Sequence, residues 1–383
     1  MKETIQLISG NNVSGKPILS LIVKRTYIIL NNGTCIYNEV QKPITKEHTF
    51  YDDNEKHIDQ DIDLYTYKPL TDVIVKGKAR TNKKTNSFQA CVEIARLKLD
   101  ITIFGNRNLY KANNGIPTFT TPENILEVPL TYNFAYGGKD LLAERHLKER
   151  IENDTKLKYL NEVTDLLAGS PYRYQRNPEG KGYITSLNEE GLEKVELPNL
   201  ENPYQLVTPE NIVCKSIAHW QKMPLPVATD FVHPGWFPRV AYFGMYPIPK
   251  GFDEDAYEIT KKLVDEEILK SRFEIKKAHF NFRAFNSASL GLQSRYLHGG
   301  ESCRLTNIHP NKTEFVFKLP NEQPKIKIDN RKGKLIKADV NMHSVIIEPD
   351  TNSLSIVWCG TIKALRPYME EELEKMPFEV KWN

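Results

Sequence analysis

The chain has 383 residues, with 52 Lys and Arg against 49 Asp and Glu, which leaves a formal charge of +3. A balance so near neutral argues against a polyanion as partner, because nucleic acid selects a concentrated basic face. Hydrophobic residues at 40%, charged residues at 26%, 20 Gly and 23 Pro exclude a disordered, collagen-like or disulfide-dense chain.

At about 150 residues per domain, the length allows two to three domains or one large all-β unit. The chain opens on a candidate strand, residues 4–9, followed by Gly10-Asn11-Asn12-Val13-Ser14-Gly15-Lys16. That string fits the phosphate-cradling G-x-x-x-x-G-K pattern, but Pro17 stands where a magnesium-binding hydroxyl is needed. A β-branched stretch also follows where a helix should present its amino terminus, so nucleotide binding is not expected. The most apolar run, residues 17–30, is cut by Lys24 and Arg25, short of the ~20 apolar residues that span a bilayer, and no membrane insertion is expected. The amino terminus lacks the ~7 to 15 residue apolar stretch of a secretory signal, which makes a cytoplasmic location the expectation.

Residues 20–30 form a β-rich run, and Asn31-Asn32-Gly33 supplies the turn into residues 34–37, a predicted hairpin. Residues 72–77, 88–99 and 99–104 are further β-branched runs, the last broken by Gly105-Asn106-Arg107-Asn108. In residues 140–168, Leu157, Leu160, Val163 and Leu167 recur at steps of three and four, with Gly169 and Pro171 as the stop, which predicts a helix or helical pair. A second helix is predicted over residues 253–275, capped by Asp253 and striped by Ala256, Ile259, Leu263 and Ile268. Residues 344–348 and 354–358, joined by Pro349-Asp350-Thr351-Asn352, form a second predicted hairpin. An acidic helical stretch, residues 368–375, and residues 378–382 close the chain.

Chemical motifs are sparse. His298-Gly299-Gly300 is like the oxyanion loop of esterases, yet no serine sits in a G-x-S-x-G elbow. His298, Cys303 and His309 match no usual metal-ligand spacing. The five cysteines, Cys35, Cys91, Cys214, Cys303 and Cys359, are odd in number and contain no C-x-x-C pair, which suits buried reduced thiols. No catalytic residue, metal or cofactor is therefore assigned.

Several short strings are distinctive. They are Tyr67-Lys68-Pro69-Leu70-Thr71-Asp72-Val73, then Ile103-Phe104-Gly105-Asn106-Arg107, then Val128-Pro129-Leu130-Thr131-Tyr132 with Ala135-Tyr136-Gly137-Gly138. Asn177-Pro178-Glu179-Gly180-Lys181-Gly182-Tyr183, Leu197-Pro198-Asn199-Leu200-Glu201, Trp236-Phe237-Pro238-Arg239 and residues 297–307, with Gly299-Gly300-Glu301 at their centre, follow, and residues 342–358 close the series. In this order, across nearly the whole chain, they resemble the bacterial family known as domain of unknown function twenty-one sixty-nine. The resemblance implies a non-enzymatic cytoplasmic adaptor or chaperone of type VI secretion. Such a protein binds an effector carrying a PAAR spike-tip domain and helps load it onto the VgrG spike, a further implied partner.

Two departures stand out: residues 140–168 lengthen the gap after Gly137-Gly138, and the chain after Arg239 follows its own pattern. The alternatives are a hydrolase of unknown substrate using His298, and a structural component of the secreted particle. The expected fold is mainly β (α+β): two packed antiparallel β subdomains, sandwich or barrel-like, with two helical insertions. The expected parts are residues 1–138, a helical insertion at 139–170, a second β subdomain at 171–360 and a tail at 361–383. Lys68, Asp72, Arg107, Trp236, Arg239, Gly299, Gly300 and Glu301 are the candidate residues, expected to form a scaffold network or to contact the partner. The leading expectation for Asp72, Arg107, Arg239 and Glu301 is a buried ion-pair or hydrogen-bond network.

Overall fold

The computed structural model describes residues 3–53, 56–111, 116–153, 172–187, 195–214, 222–243 and 280–382. Among the described residues the protein is mostly β, with several packed antiparallel sheets and no closed barrel, so of the two expected architectures the open, sandwich-like one holds there. The main sheet runs Ile5–Asn11, Pro17–Ile29, Ser353–Lys363, Asp339–Glu348, Thr71–Val75, Gln293–Ser294, with Cys35–Tyr37 also paired to Pro17–Ile29. The second sheet runs Leu200–Glu201, Leu97–Phe104, Ser87–Ile94, Ser302–His309, Lys312–Lys318. Each sheet thus takes strands from both sides of residue 138, and the two ends of the chain are woven together.

Both predicted hairpins form. Tyr27, Ile28 and Ile29 pair with Tyr37, Ile36 and Cys35 across the Asn31-Asn32-Gly33 turn. Asp339–Glu348 pairs antiparallel with Ser353–Lys363 around Pro349–Thr351, with Asn352 left-handed at φ 51°. A bulge in this ladder falls between Met342 and Ser344, at His343. Thr71–Val75 is buried at every position, as expected of a strand covered on both faces, and it pairs in parallel with Asp339–Glu348.

One core lies between the two sheets. Leu21, Val345 and Trp358 from one face of the main sheet join Val92, Ile103 and Phe315 from the second, all nearly fully buried. Each such side chain contributes about 1.5–3 kcal/mol relative to exposure. A second core, rich in tyrosine, gathers Leu109, Tyr136, Tyr174, Tyr183, Ile212 and Tyr242 from the loop-rich middle of the chain.

The first predicted helix is present as Leu141–Asn153, with Asp140 Oδ1 accepting from the Ala143 N–H at 3.0 Å. Its predicted continuation over Leu157, Leu160, Val163 and Leu167, and the predicted helix at 253–275, lie outside the described residues. The tail docks on the body: Phe378–Trp382 pairs with Pro324–Asp329, and the Tyr368 hydroxyl donates to Asn330 Oδ1 at 2.8 Å. Among the described residues, no helix is long and apolar enough to cross a membrane.

Candidate functional site

The Tyr67-to-Val73 string carries its charges into the interior. Lys68 Nζ lies 2.6 Å from Asp72 Oδ2 and 3.1 Å from Ser344 Oγ, and the side chains of Lys68 and Asp72 are 3% and 0% exposed. A buried charge costs far more than a surface one unless its hydrogen-bonding capacity is filled. Asp72 meets that condition, accepting from Asn286 Nδ2 at 3.0 Å, the Ser287 N–H at 2.9 Å and the Ala288 N–H at 3.3 Å.

The same 284–288 segment ties in Arg239. Its Nε donates to the Ala284 carbonyl at 3.0 Å, and Nη2 lies 3.2 Å from Asp61 Oδ2, with both side chains buried. Burial raises the Asp61 carboxyl, but Arg239, His48, Lys68 and Ser287 together outweigh it and hold the group well below the usual carboxylate range. The Val232 N–H donates to the Ser287 carbonyl at 2.7 Å, which closes the frame. Asp72, paired with Lys68, and Arg239, paired with Asp61, therefore grip one short segment from two sides.

Arg107 pairs with Glu201 at a separate buried point, and its guanidinium stacks 3.8 Å from the Phe104 ring centroid. Glu201 Oε2 also accepts from the Val207 N–H at 2.7 Å. Burial lifts the Glu201 carboxyl to about 7, with Arg107 and the Val207 N–H opposing it. Burial likewise lowers the Arg107 guanidinium, so both partners feel desolvation more than the contact relieves it. Trp236 is buried in the main core, edge-on to Tyr132 at 5.7 Å.

Gly299, Gly300 and Glu301 form a self-capped loop. Glu301 Oε1 accepts from the His298 N–H at 2.7 Å and Oε2 from the Gly299 N–H at 2.8 Å. Gly299 sits at φ 101°, and a Cβ there would meet the Pro320 carbonyl oxygen at 2.4 Å. Gly137 packs as closely against the Asn177-Pro178 turn: a Cβ would lie 2.1 Å from the Asn177 carbonyl oxygen. These glycines and Glu301 shape the local backbone.

The other sequence motifs resolve into structural uses. Residues 10–16 are a hairpin turn in which Asn12 Oδ1 accepts from the Ser14 and Lys16 N–H groups, each at 2.9 Å. His309 spends both ring nitrogens, on Asn352 Oδ1 at 3.0 Å and the Asn311 N–H at 3.1 Å. His298 is exposed, whereas Cys303 is buried. Burial pushes the Cys35 and Cys91 thiols up to about 12 and Cys359 to about 11, away from thiolate chemistry. Among the described residues, no group of three His, Cys, Asp or Glu could hold a metal ion.

Several motif segments meet at one place. Arg176 directly precedes Asn177, Asn202 directly follows Glu201, and Phe237, Pro238 and Arg239 end the tryptophan motif; all five line a cleft of about 200 Å³. Tyr132, Leu225 and Val227 complete its apolar wall, and Asn286 joins it to the Asp72 network. The sequence reading named Arg239 but missed Arg176, Asp61 and Asn286. The neighbouring Asn177-Pro178 turn signal lay one residue from Arg176, while Asp61 carried no local signal.

A family model described as "Uncharacterized protein conserved in bacteria (DUF2169)" matches residues 14–359. No curated protein and no solved structure matches the chain.

Proposed function

This chain belongs to that bacterial family, and on that premise we propose that it is an adaptor of type VI secretion, which binds an effector bearing a PAAR spike-tip domain and hands it to the VgrG spike. It acts by stoichiometric binding rather than turnover, and does so in the cytoplasm. The observation that carries this reading is the convergence of motif segments, far apart in sequence, on one apolar cleft whose back wall is fixed by buried ion pairs. Such a wall presents a pre-formed surface, so little ordering entropy is lost when a partner docks.

The test is coexpression of the chain with PAAR-containing effectors, followed by affinity purification and size exclusion. A defined complex is expected. Recovery of folded, monodisperse chain without any such effector overturns the reading.

A further inference from the structure

The small sheet near the carboxyl-terminal end carries a charge pattern that its own folding does not need. Its strands run in the order Leu335–Lys337, Pro324–Asp329, Phe378–Trp382. On the middle strand Ile326 and Ile328 are buried while Lys325 and Lys327 are exposed, the alternation of a strand with one wet face. The register puts Lys381 directly opposite Lys325, and Lys337 directly opposite Lys327. Directly opposed residues share a face, so four ammonium groups stand on one side of three strands. Like charges placed this way oppose folding. Lysines on an edge strand deter stray pairing, but Lys325 and Lys327 are on the middle strand, which has no free edge to guard.

Glu379 shares the face, lies 3.7 Å from the Lys327 ammonium and also pairs with Lys381, so one carboxylate serves two lysines. Among the described residues, the Lys325 and Lys337 side chains have no ion pair or hydrogen bond. Asp339, just beyond Lys337, bears instead on Tyr296 and Cys359. The face therefore keeps a surplus of positive charge. Its lysines stand about 4.8 Å apart across strands and about 6.8 Å apart along one. Both spacings fall inside the ~8 Å screening length of physiological salt, so their potentials add. An extended polypeptide repeats every second side chain at the same ~6.8 Å, which matches Asp or Glu at alternate positions to the row of Lys325 and Lys327. Single-stranded nucleic acid needs aromatic rings for its bases to stack on. Phe378 and Trp382 alternate with Glu379 and Lys381 and oppose Ile328 and Pro324, which turns both rings to the other face. We infer that the lysine face binds an extended acidic segment of a partner protein, its alternate carboxylates set over Lys325, Lys327, Lys337 and Lys381. The chemistry of this surface is independent of which protein supplies the segment, and so of the adaptor reading.

The experiment uses the full chain and two rhodamine-labelled octapeptides, one alternating Glu with Thr and one alternating Gln with Thr, read by fluorescence anisotropy at low salt. The glutamate peptide is expected to bind at least tenfold more tightly than the glutamine peptide, and about 0.5 M NaCl should remove the difference. Combining Lys325→Gln with Lys337→Gln should weaken the glutamate peptide at least tenfold. Combining Lys83→Gln with Lys84→Gln removes the same charge from another exposed strand and should leave its affinity within twofold. The first double variant should melt at or above the parent temperature, because it removes two like-charge oppositions. Equal affinity for the two peptides, no binding at millimolar concentration, or equal weakening by the two double variants overturns the inference. Tighter binding of an oligothymidylate of equal charge, or of phosphatidylglycerol vesicles, than of the glutamate peptide also overturns it and assigns the face to a polyphosphate or a membrane.

Discussion

Lys68 and Asp72 allow a quantitative test of the idea that the motif charges are scaffold. Lys68→Met leaves the Asp72 carboxylate in a site with 0% side-chain exposure, but three donors remain, from Asn286, Ser287 and Ala288. Removing one partner of a buried pair costs about 3–5 kcal/mol, and the retained donors put this variant near 3 kcal/mol. Asp72→Ala is worse. It strands the Lys68 ammonium, left with Ser344 Oγ and the Tyr65 ring, and orphans three donors at about 1–3 kcal/mol each, for a total of about 5 kcal/mol or more. Combining Lys68→Met with Asp72→Ala removes both charges, so the double variant should lose at least about 2 kcal/mol less than the two single losses added. Urea unfolding followed by tryptophan fluorescence measures all three. Single losses below about 1 kcal/mol, or losses that simply add, would refute a buried, mutually satisfied pair.

Arg107→Met should destabilise more at pH 8 than at pH 5. The Glu201 carboxyl titrates near 7 when folded and lower when unfolded, so the folded state holds the extra proton and stability falls as pH rises through that window. Without Arg107 the buried carboxylate at pH 8 is uncompensated, while at pH 5 it is protonated; equal losses at the two pH values count against this. His343 gives the opposite slope: burial, with Lys68 nearby, holds its imidazole well below its ordinary value, so only the unfolded chain takes up a proton below about pH 6.5. Stability should fall on acidification by up to about 1.4 kcal/mol per pH unit from this group, and His343→Gln should flatten the loss between pH 6.5 and 5, whereas an unchanged slope rejects the assignment. Gly299→Ala should cost more than about 3 kcal/mol, because a strained φ adds to the clash with the Pro320 carbonyl, whereas Gly15→Ala, at φ 72° with open space around it, should cost only about 1–2 kcal/mol. Comparable melting temperatures for the two variants would contradict the packing described for the Gly299 loop.

What was legible in the sequence was local. The hairpins at 31–33 and 349–352 could be read because turn chemistry and flanking β-branched runs are adjacent in the chain. The strand weave could not, because the pairing of Pro17–Ile29 with Ser353–Lys363 leaves no local mark on either strand. Lys24 shows the same limit from the other side. As sequence it interrupts an apolar run; in the structure it is buried and paired with Asp63 at 2.7 Å, so a charge that looked like a break belongs to the core. Arg239 and Asp61, 178 residues apart, are invisible as a pair for the same reason.

The buried pairs also explain how a large, woven sheet reaches one register. A strand slipped by one residue turns every side chain to the other face. On Thr71–Val75 such a slip would move Asp72 away from Ser344, its parallel partner, and away from Gln293, its antiparallel partner. It would also break the Lys68 contact and the donors of the 286–288 segment, leaving a carboxylate buried without partners, at a cost of several kcal/mol. An apolar residue at position 72 would tolerate the slip, because Val73, Ile74 and Val75 are nearly interchangeable in a strand buried on both faces. The charge that adds little net stability therefore discriminates strongly against the wrong alignment. By fixing the 284–288 segment, it also fixes the wall of the cleft that Arg239 lines.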